Sequence, residues 1–479
     1  MTENELLHSI AVFDHSVLGG RKRLTTTIGG ENVEEILEDI RKQSSKVNFN
    51  AMSAQYLWNY VRNMQPILDR VDDTEGASSN NKVVVNFAVA ISRNLSAYTF
   101  PKGINYLSKN NSPECRDFVK LLNDMSSIKS GNVAAQEMKW YQSVCGHSFL
   151  YVNYDKQKRH GVPFSIQNIE PWNAYVVYSA FDVYEPVYGV INYPDNACVF
   201  TKDKYFFVKK GEIAEGSVCT HLLGGVPIIE VPNNTMRMGD FETALELLNA
   251  INNVSSDSVN NVEDIVKSYL VLIGVDKEDA KNLDFKKGSV LALSGQQGVN
   301  QSAQFIHPAL DGSSVQQLRS YMDSALKFIT GIPDRDTNNA ASSTGVSEDI
   351  KTGQADKDAI ANEKTIFVEQ SQRRALEIIF NILRASSPEL IPDEMTAADI
   401  DLDITRANRD NILTKSQAML NFKQVGMCNE DILYFGNITN DVTGVSSRMV
   451  KEQEPNSEDE MNVDKLERLN GTTVSATAS

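Results

Sequence analysis

The chain has 479 residues, 41% of them hydrophobic, a length that exceeds one compact core and predicts two or more domains. Its 46 basic and 63 acidic side chains give a formal net charge of −17, which argues against a protein that grips nucleic acid through a general basic surface. The five cysteines form no CxxC pair, and no apolar run approaches the ~20 residues of a membrane span. We therefore expect a protein of a reducing cytoplasm, without a zinc ribbon, a disulfide framework or a membrane segment.

Apolar spacing predicts helices in the N-terminal part of the chain. A short helix is expected over residues 33–43, an amphipathic helix over 53–70 and a third helix over 82–98, which Pro101-Lys-Gly103 ends. The basic group Arg21-Lys-Arg23 is interpreted as solvated surface charge, with phosphate contact as the alternative. Between residues 138 and 229 the pattern changes to short β-branched or aromatic runs separated by turn residues. This pattern predicts an antiparallel β region flanked by helices, with runs at 149–153, 174–178, 187–192, 197–200 and 205–208.

A long acidic amphipathic helix is the most informative feature of the sequence. No Lys or Arg lies between Arg237 and Lys267, while the apolar residues from Phe241 to Tyr269 advance by threes and fours. The acids of this segment fall mostly off that stripe: Asp240, Glu242, Glu246, Asp257, Glu263 and Asp264. At about 1.5 Å per residue, a helix over residues 239–273 would extend roughly 50 Å, longer than an ordinary globular domain needs. We expect an elongated part of the structure here.

A second striped helix follows a small mixed segment. Short strands are predicted over residues 289–293 and near 303–306, and then a helix begins at about Ser313 and stops at Gly331 and Pro333. Residues 334–344 contain no apolar side chain larger than alanine, which predicts a mobile loop that Gly345 closes.

The C-terminal part is predicted to be mainly helical. A long helix over residues 346–383 precedes a strand over 400–404, and two helices follow over 409–425 and 429–435. The tail beyond Glu452 is polar and acidic, and we expect it to order only with a partner.

The sequence contains no catalytic constellation. It lacks the phosphate loop GxxxxGK[ST], the dinucleotide motif GxGxxG and the zinc motif HExxH. Cys145 and His147 can be drawn as a nucleophile beside a base, but we interpret both as core residues because an i, i+2 pair is easily coincidental. Asp401 and Asp403 are explained by alternation in an edge strand. We therefore predict no enzyme, and no catalytic, cofactor-binding or metal-binding residue.

The order of these elements resembles the portal proteins of tailed bacteriophages, the SPP-type head-tail connectors, over about residues 50 to 450. Five strings carry the resemblance through their order and spacing: Asn81-Lys-Val-Val-Val-Asn86 with Tyr98, Gly225-Val-Pro-Ile-Ile-Glu-Val-Pro-Asn-Asn234, residues 250–264, Leu270-Val-Leu-Ile-Gly274, and Gly331-Ile-Pro-Asp with Ser343-Thr-Gly-Val346. The chain departs from the family pattern at Asn249 to Asn252, where an Asp-Tyr pair is usual, and in a short clip.

The resemblance implies an α+β portal fold, mainly helical, with a β-rich wing, a small α/β clip and long stem helices around a central channel. The corresponding regions are an N-terminal arm (1–49), the wing (50–237), stem helix 1 (238–272), the clip (273–312), stem helix 2 (313–332), the tunnel loop (333–345), the wing again with its long helix and strand (346–408), the crown (409–450) and a flexible acidic tail (451–479).

The resemblance also implies the function. It is that of a homododecamer at one capsid vertex of the virion, which forms a channel for double-stranded DNA packaging and ejection after assembly in the host cytoplasm. The implied partners are double-stranded DNA, the terminase large subunit, a head-completion or adaptor protein, and the major capsid and scaffolding proteins, with no membrane, no cofactor and no activity of its own. Two alternatives stay open: a minor head or scaffold protein that forms no DNA channel, and a nucleic-acid enzyme of the packaging machinery.

Three groups of residues are the resulting site candidates. The stem lumen candidates are Glu242, Glu246, Asp257, Glu263, Arg319 and Lys327; the tunnel-loop candidates are Asp334, Arg335, Asp336, Thr337, Asn338 and Asn339; and the hinge candidates are Gly331, Pro333 and Gly345. For Arg335, contact with the lumen and a salt bridge between subunits are both open. Twelve copies of −17 sum to about −204, and a wall of that sign repels the DNA backbone, so we expect the duplex to slide.

Overall fold

The computed structural model describes an α+β chain in two units, Met1–Arg406 and Ala407–Ser479. It describes residues 19–71, 79–99, 103–109, 112–158, 161–266, 269–273, 302–306, 312–332, 354–393, 395–404, 412–436 and 445–446. Helices and short sheets alternate along the first unit, as the α+β prediction requires, and that prediction is confirmed.

The N-terminal region forms one long helix where the sequence predicted two. Strand β1 (Leu24–Thr26) is followed by α1 (Val33–Val61), and Asn32 caps α1 by accepting a hydrogen bond from the Glu34 N–H at 3.0 Å. The prediction of a break between residues 43 and 53 was wrong because that stretch is polar but contains neither Gly nor Pro. The predicted extension to residue 70 was also wrong, since α1 ends before Asn63, at φ 70°, and a short 3-10 turn (Pro66–Asp69) follows.

Three further helices precede the β region. Helix α2 (Phe87–Thr99) begins five residues later than predicted, because the preceding residues run extended and bond to another helix. Strand β2 (Asn105–Ser108), α3 (Pro113–Ile128) and α4 (Gly131–Cys145) follow, and sequence analysis assigned none of them. Helix α4 ends at Gly146, whose φ of 79° is a conformation that suits glycine.

The predicted β region is confirmed. Its strands are β3 (His147–Tyr154), β4 (Phe164–Ile169), β5 (Ala174–Ser179), β6 (Pro186–Asn192), β7 (Ala197–Phe200), β8 (Lys204–Lys209), β9 (Glu212–Ile213), β10 (Cys219–Thr220) and β11 (Ile228–Pro232). One sheet has the order β1-β5-β6-β7-β8-β10, with β9 beside β8, and a second has the order β11-β3-β4. All these pairs are antiparallel except β1 with β5, which is parallel.

A pair of helices separated by a strand pair follows the β region. A 3-10 turn (Glu242–Ala244) leads into α5 (Leu245–Val266), β12 (Tyr269–Ile273) pairs antiparallel with β13 (Ser302–Ile306), and α6 (Gly312–Thr330) comes next. The predicted helix over 239–273 was wrong at both ends, because Asp240 N–H bonds the Ser143 carbonyl at 2.8 Å and residues 269–273 pair as a strand. The 22 residues of α5 span about 33 Å rather than roughly 50 Å. The predicted strand at 289–293 lies outside the described residues.

The remaining elements match the predictions with shifted bounds. Helix α7 (Gln354–Ser386) extends past the predicted end at residue 383, and its predicted start at 346 lies outside the described residues. Strand β14 (Ile400–Asp403) pairs antiparallel with β2. The second unit contains α8 (Ile412–Gln424) and α9 (Asn429–Gly436), while the predicted tail lies outside the described residues.

The core of the first unit contains buried clusters that join distant parts of the chain. One cluster gathers α7, α3 and β3, and another gathers α1, α2, α4, the beginning of α5 and Leu326 of α6. The second cluster fixes the helix pair to the N-terminal helices. Among the described residues, no helix combines the length and the apolar character that a bilayer crossing requires.

Candidate functional site

The helix pair, α5 and α6, is the element that the candidate site is built on. Four apolar side chains at the beginning of α5 or just before it are buried and pack with α1 and α2: Phe241, Leu245, Leu248 and Ile251. Leu326 brings α6 into the same cluster, and α5 and α6 contact each other. The pair is therefore rooted in the chain's own core at one end.

Other apolar side chains of both helices are uncovered. On α5, Val259 and Val262 continue the stripe of Leu248 and Ile251, yet Val262 is 61% exposed. On α6, four large side chains form what we call the exposed stripe: Leu318, Tyr321, Phe328 and Ile329. Phe328 is 88% exposed and Tyr321, two helical turns earlier, is 70% exposed. Two large aromatic side chains exposed near each other on one helix are typical of an interaction surface. The chain alone leaves these surfaces in water.

The charges of the helix pair are mostly acidic. Helix α5 contains four acids and no basic residue, whereas α6 contains Arg319, Asp323 and Lys327. Four of the lumen candidates are exposed, namely Glu246, Asp257, Glu263 and Arg319, and Lys327 is half-buried. Two of the acids have partners in the chain, because Asp257 pairs with Arg70 at 2.7 Å and Glu263 accepts from Asn81 Nδ2 at 2.5 Å.

Glu242 does not face an open surface, so its assignment as a lumen candidate was wrong. Its side chain is fully buried in an ion pair with Arg21, whose side chain is buried as well. The Glu242 carboxylate also accepts from Gly20 N–H at 3.1 Å and from Gly239 N–H at 2.8 Å. The cause is its position in the 3-10 turn before α5, where the side chain points into the core. The interpretation of Arg21 as solvated surface charge was also wrong, because its side chain is buried in this ion pair.

Two more buried ion pairs surround this turn, and we call the three pairs together the root cluster. Asp240 pairs with Lys364 of α7, and Asn233 Nδ2 donates to the other Asp240 oxygen at 2.8 Å. Glu230 of β11 pairs with Arg237 through two bonds of 2.7 and 3.0 Å. The root cluster therefore joins the N-terminal segment, β11, α7 and the beginning of α5.

Glu230 also contacts an aromatic and a histidine side chain. Tyr178 donates its hydroxyl to Glu230 at 3.1 Å, and His147 Nδ1 lies 3.3 Å from the same carboxylate. Burial acts to raise the pKa of the Glu230 carboxyl, but Arg237 and His147 outweigh it and hold that pKa well below its ordinary value. Burial lowers the pKa of His147, which favours the neutral imidazole.

A regular series of hydrogen bonds, which we call the side-chain ladder, covers a second face of α5. Three side chains of α5 accept hydrogen bonds from backbone N–H groups of the extended segment before α2. Asn252 accepts from Val85 at 2.8 Å, Ser256 accepts from Val83 at 2.9 Å, and Asn260 accepts from Asn81 at 2.6 Å. Four helical residues rise about 6 Å and two extended residues about 6.6 Å, so the two spacings match. The ladder joins two of the strings that carry the portal resemblance, and it occupies this face of α5.

The Cys145–His147 pair is not a nucleophile and base. The Cys145 thiol is buried, bonds the Ala54 carbonyl at 3.5 Å, and has a pKa raised by burial. His147 instead bonds Glu230, as described above. In the described part of the chain, no group of three His, Cys, Asp or Glu side chains is placed to hold a metal ion.

The segment after α6 is described only at its beginning. Gly331 has a φ of 63°, and a Cβ there would lie 2.7 Å from Ile360 of α7, so both the backbone conformation and the space favour glycine. The other hinge candidates and the tunnel-loop candidates lie outside the described residues: Pro333, Gly345, Asp334, Arg335, Asp336, Thr337, Asn338 and Asn339.

Comparison with known proteins identifies the class of protein that this fold and helix pair represent. Residues 38–457 match the family described as "Phage portal protein, SPP1 Gp6-like". The chain belongs to this phage portal protein family, as the sequence resemblance predicted. In structure it is similar to a chain of the "Neck of native GTA particle computed with C12 symmetry", with a TM-score of 0.46 and 10% identity over 75% of this chain and 91% of that chain. No curated protein matches the chain in sequence.

Proposed function

We propose that this portal-family chain assembles into a ring of twelve copies at one capsid vertex. The ring forms the channel through which double-stranded DNA is packaged and ejected, and it serves as the docking site for the terminase motor and for head-completion or adaptor proteins. The observation that carries the proposal is the uncovered apolar surface of the helix pair. Family membership supplies the context in which that surface is interpreted.

The geometry of the uncovered surface favours a ring. The exposed stripe lies on α6, whereas the uncovered valines Val259 and Val262 lie on α5. We propose that α6 of one copy packs on α5 of the next, which is a contact between two different surfaces. Repeated contacts of this kind generate closed rings when the rotation between copies divides a full turn. Burying the largely exposed Phe328 would also contribute about 1.5–3 kcal/mol, and the partly exposed Leu318 and Ile329 would contribute less.

The charges of the pair support a channel that DNA slides through. Glu246, Asp257 and Glu263 are exposed on α5, and acids on a channel wall repel phosphates and prevent tight binding. In this proposal Arg319 makes only weak phosphate contacts. Residues 238–272 and 313–332 form the stem, residues 273–312 form the clip that meets the motor, and Asp334 to Asn339 belong to the tunnel loop. The chain itself hydrolyses no nucleotide, because its sequence lacks a phosphate loop.

Imaging of the purified full-length chain tests the proposal. We expect particles with twelvefold rotational symmetry and a central hole, and a native mass of about twelve times 53.2 kDa. Adding nucleotide without a motor protein should produce no hydrolysis. A single-copy mass at all protein concentrations, or a closed particle without a hole, would overturn the ring and favour a non-channel virion protein.

A further inference from the structure

A groove between α2 and α4 has a lining unlike the rest of this acidic chain. Two helical faces form it, each with the i, i+3, i+4 spacing: Arg93, Ser96 and Ala97 on α2, and Gln136, Lys139 and Trp140 on α4. Its volume is about 320 Å³, which is at the lower end of the range for small-ligand sites. No acidic side chain lines it, although acids outnumber bases along the chain by 63 to 46.

The polar side chains of this groove include several hydrogen-bond donors. Arg93 is exposed and presents a guanidinium whose donors fit an oxyanion in pairs. Lys139 also lines the groove and is only 8% exposed, and a cation in such a low-dielectric environment attracts an anion more strongly than it would in water. Burial lowers the pKa of Lys139, and a bound anion would oppose that effect. The Gln136 amide adds a neutral donor, and Trp140 adds a flat apolar wall.

We propose that the groove between α2 and α4 binds a phosphate group, with Arg93 and Lys139 as its charged ligands and Gln136 as a neutral donor. Phosphate fits this set because it offers several acceptor oxygens and negative charge to two cations on facing helices. The phosphate can come from a free ion or from a single-stranded DNA backbone. The site lies on the N-terminal helices and does not depend on ring formation.

Fluorescence of Trp140 measures binding directly, because this indole lines the groove. Inorganic phosphate is titrated into the full-length chain at constant ionic strength with chloride as the reference ion, and Trp140→Phe serves as the blank. We expect a saturable change that Arg93→Ala weakens by about tenfold or more, which is the loss of one charge-assisted hydrogen bond. Gln136→Glu, which places a carboxylate in the groove, should abolish binding. Arg62→Ala removes an exposed arginine at the end of α1 and should leave binding unchanged.

Two further arms distinguish the sources of the phosphate. If a 12-nucleotide single strand binds more tightly than phosphate, and Arg93→Ala weakens both, then the groove takes a DNA backbone. If only inorganic phosphate binds, then it takes the free ion. Three results would overturn the proposal. The first is a fluorescence response that rises linearly with phosphate, and the second is equal binding by wild type and Arg93→Ala when both unfold at the same denaturant concentration. The third is a glutamate-rich peptide that binds more tightly than either phosphate source.

Discussion

At the scale of single residues, the root cluster explains how an acidic chain fixes the beginning of the helix pair. Each of its three ion pairs has side chains that are nearly or fully buried. Removing two charges from water costs several kcal/mol per ion, and good geometry with additional hydrogen bonds offsets this cost. Glu242 has that geometry because Arg21 and three backbone N–H groups surround its carboxylate. The cluster thereby specifies one position for the beginning of α5.

Replacing Arg21 by alanine should destabilise the chain strongly. The change leaves the Glu242 carboxylate buried without its counter-charge, a defect that costs about 3–5 kcal/mol. Urea unfolding followed by circular dichroism measures the loss. The matched control is Lys42→Ala, which breaks the Glu38–Lys42 pair on the surface of α1, where both side chains are more than half exposed. Equal unfolding midpoints for the two variants would contradict the structural role of Arg21.

Which charges are buried was beyond prediction from the sequence. Arg21 and Glu242 lie 221 positions apart, so no local pattern shows that they pair. Helical periodicity placed Glu242 off the apolar stripe, but it lies in a 3-10 turn where that periodicity does not apply. The interpretation of Cys145 and His147 as core residues is confirmed by their burial, although it rested only on how easily an i, i+2 pair arises by coincidence.

At the scale of secondary-structure elements, the side-chain ladder explains why α2 begins later than predicted. The apolar spacing of the segment placed valines 83 and 84 on a helical face, yet the backbone N–H groups of Asn81, Val83 and Val85 bond to α5 instead. Helix type and order were largely predictable, since apolar spacing is a local property. Boundaries were not, because the competing partner of residues 81–85 lies more than 160 positions away. Strand β11 was missed for a related reason, as its Glu230 and Pro232 weaken a strand pattern.

Replacing Asn252 by alanine should open the ladder. Asn252 is fully buried, accepts from Val85 N–H and donates to Gln65 Oε1 at 2.5 Å. Both partners would lose a hydrogen bond in a buried site, and we expect a loss of about 2–4 kcal/mol in the free energy of unfolding. Hydrogen exchange at the Val85 amide should become faster. Asn253→Ala, one residue along the same helix but exposed, is the control and should change neither quantity. Unchanged protection of the Val85 amide in Asn252→Ala would show that the ladder is not stabilising.

At the scale of the whole molecule, the helix pair is divided between two environments. Its beginning is held by the root cluster and the N-terminal helices, and one face of α5 is occupied by the ladder. The exposed stripe of α6 and the valines of α5 stay uncovered in the single chain, and the proposed ring would bury them against another copy. Apolar spacing predicted these striped helices correctly and left packing within the chain and packing between ring neighbours both open, since apolar periodicity is the same for the two.

Replacing Tyr321 and Phe328 together by serine should prevent ring formation while leaving the fold intact. Both side chains are largely exposed in the single chain, so their loss removes no core contact, and the contact between copies loses the burial of two aromatic groups. Native mass spectrometry should show single copies, and the free energy of unfolding of those copies should stay within about 0.5 kcal/mol of wild type. Phe181→Ser changes an aromatic side chain that is 86% exposed in the turn between β5 and β6, and it should leave the ring intact. If Tyr321→Ser/Phe328→Ser still forms rings, the exposed stripe is not the contact between copies.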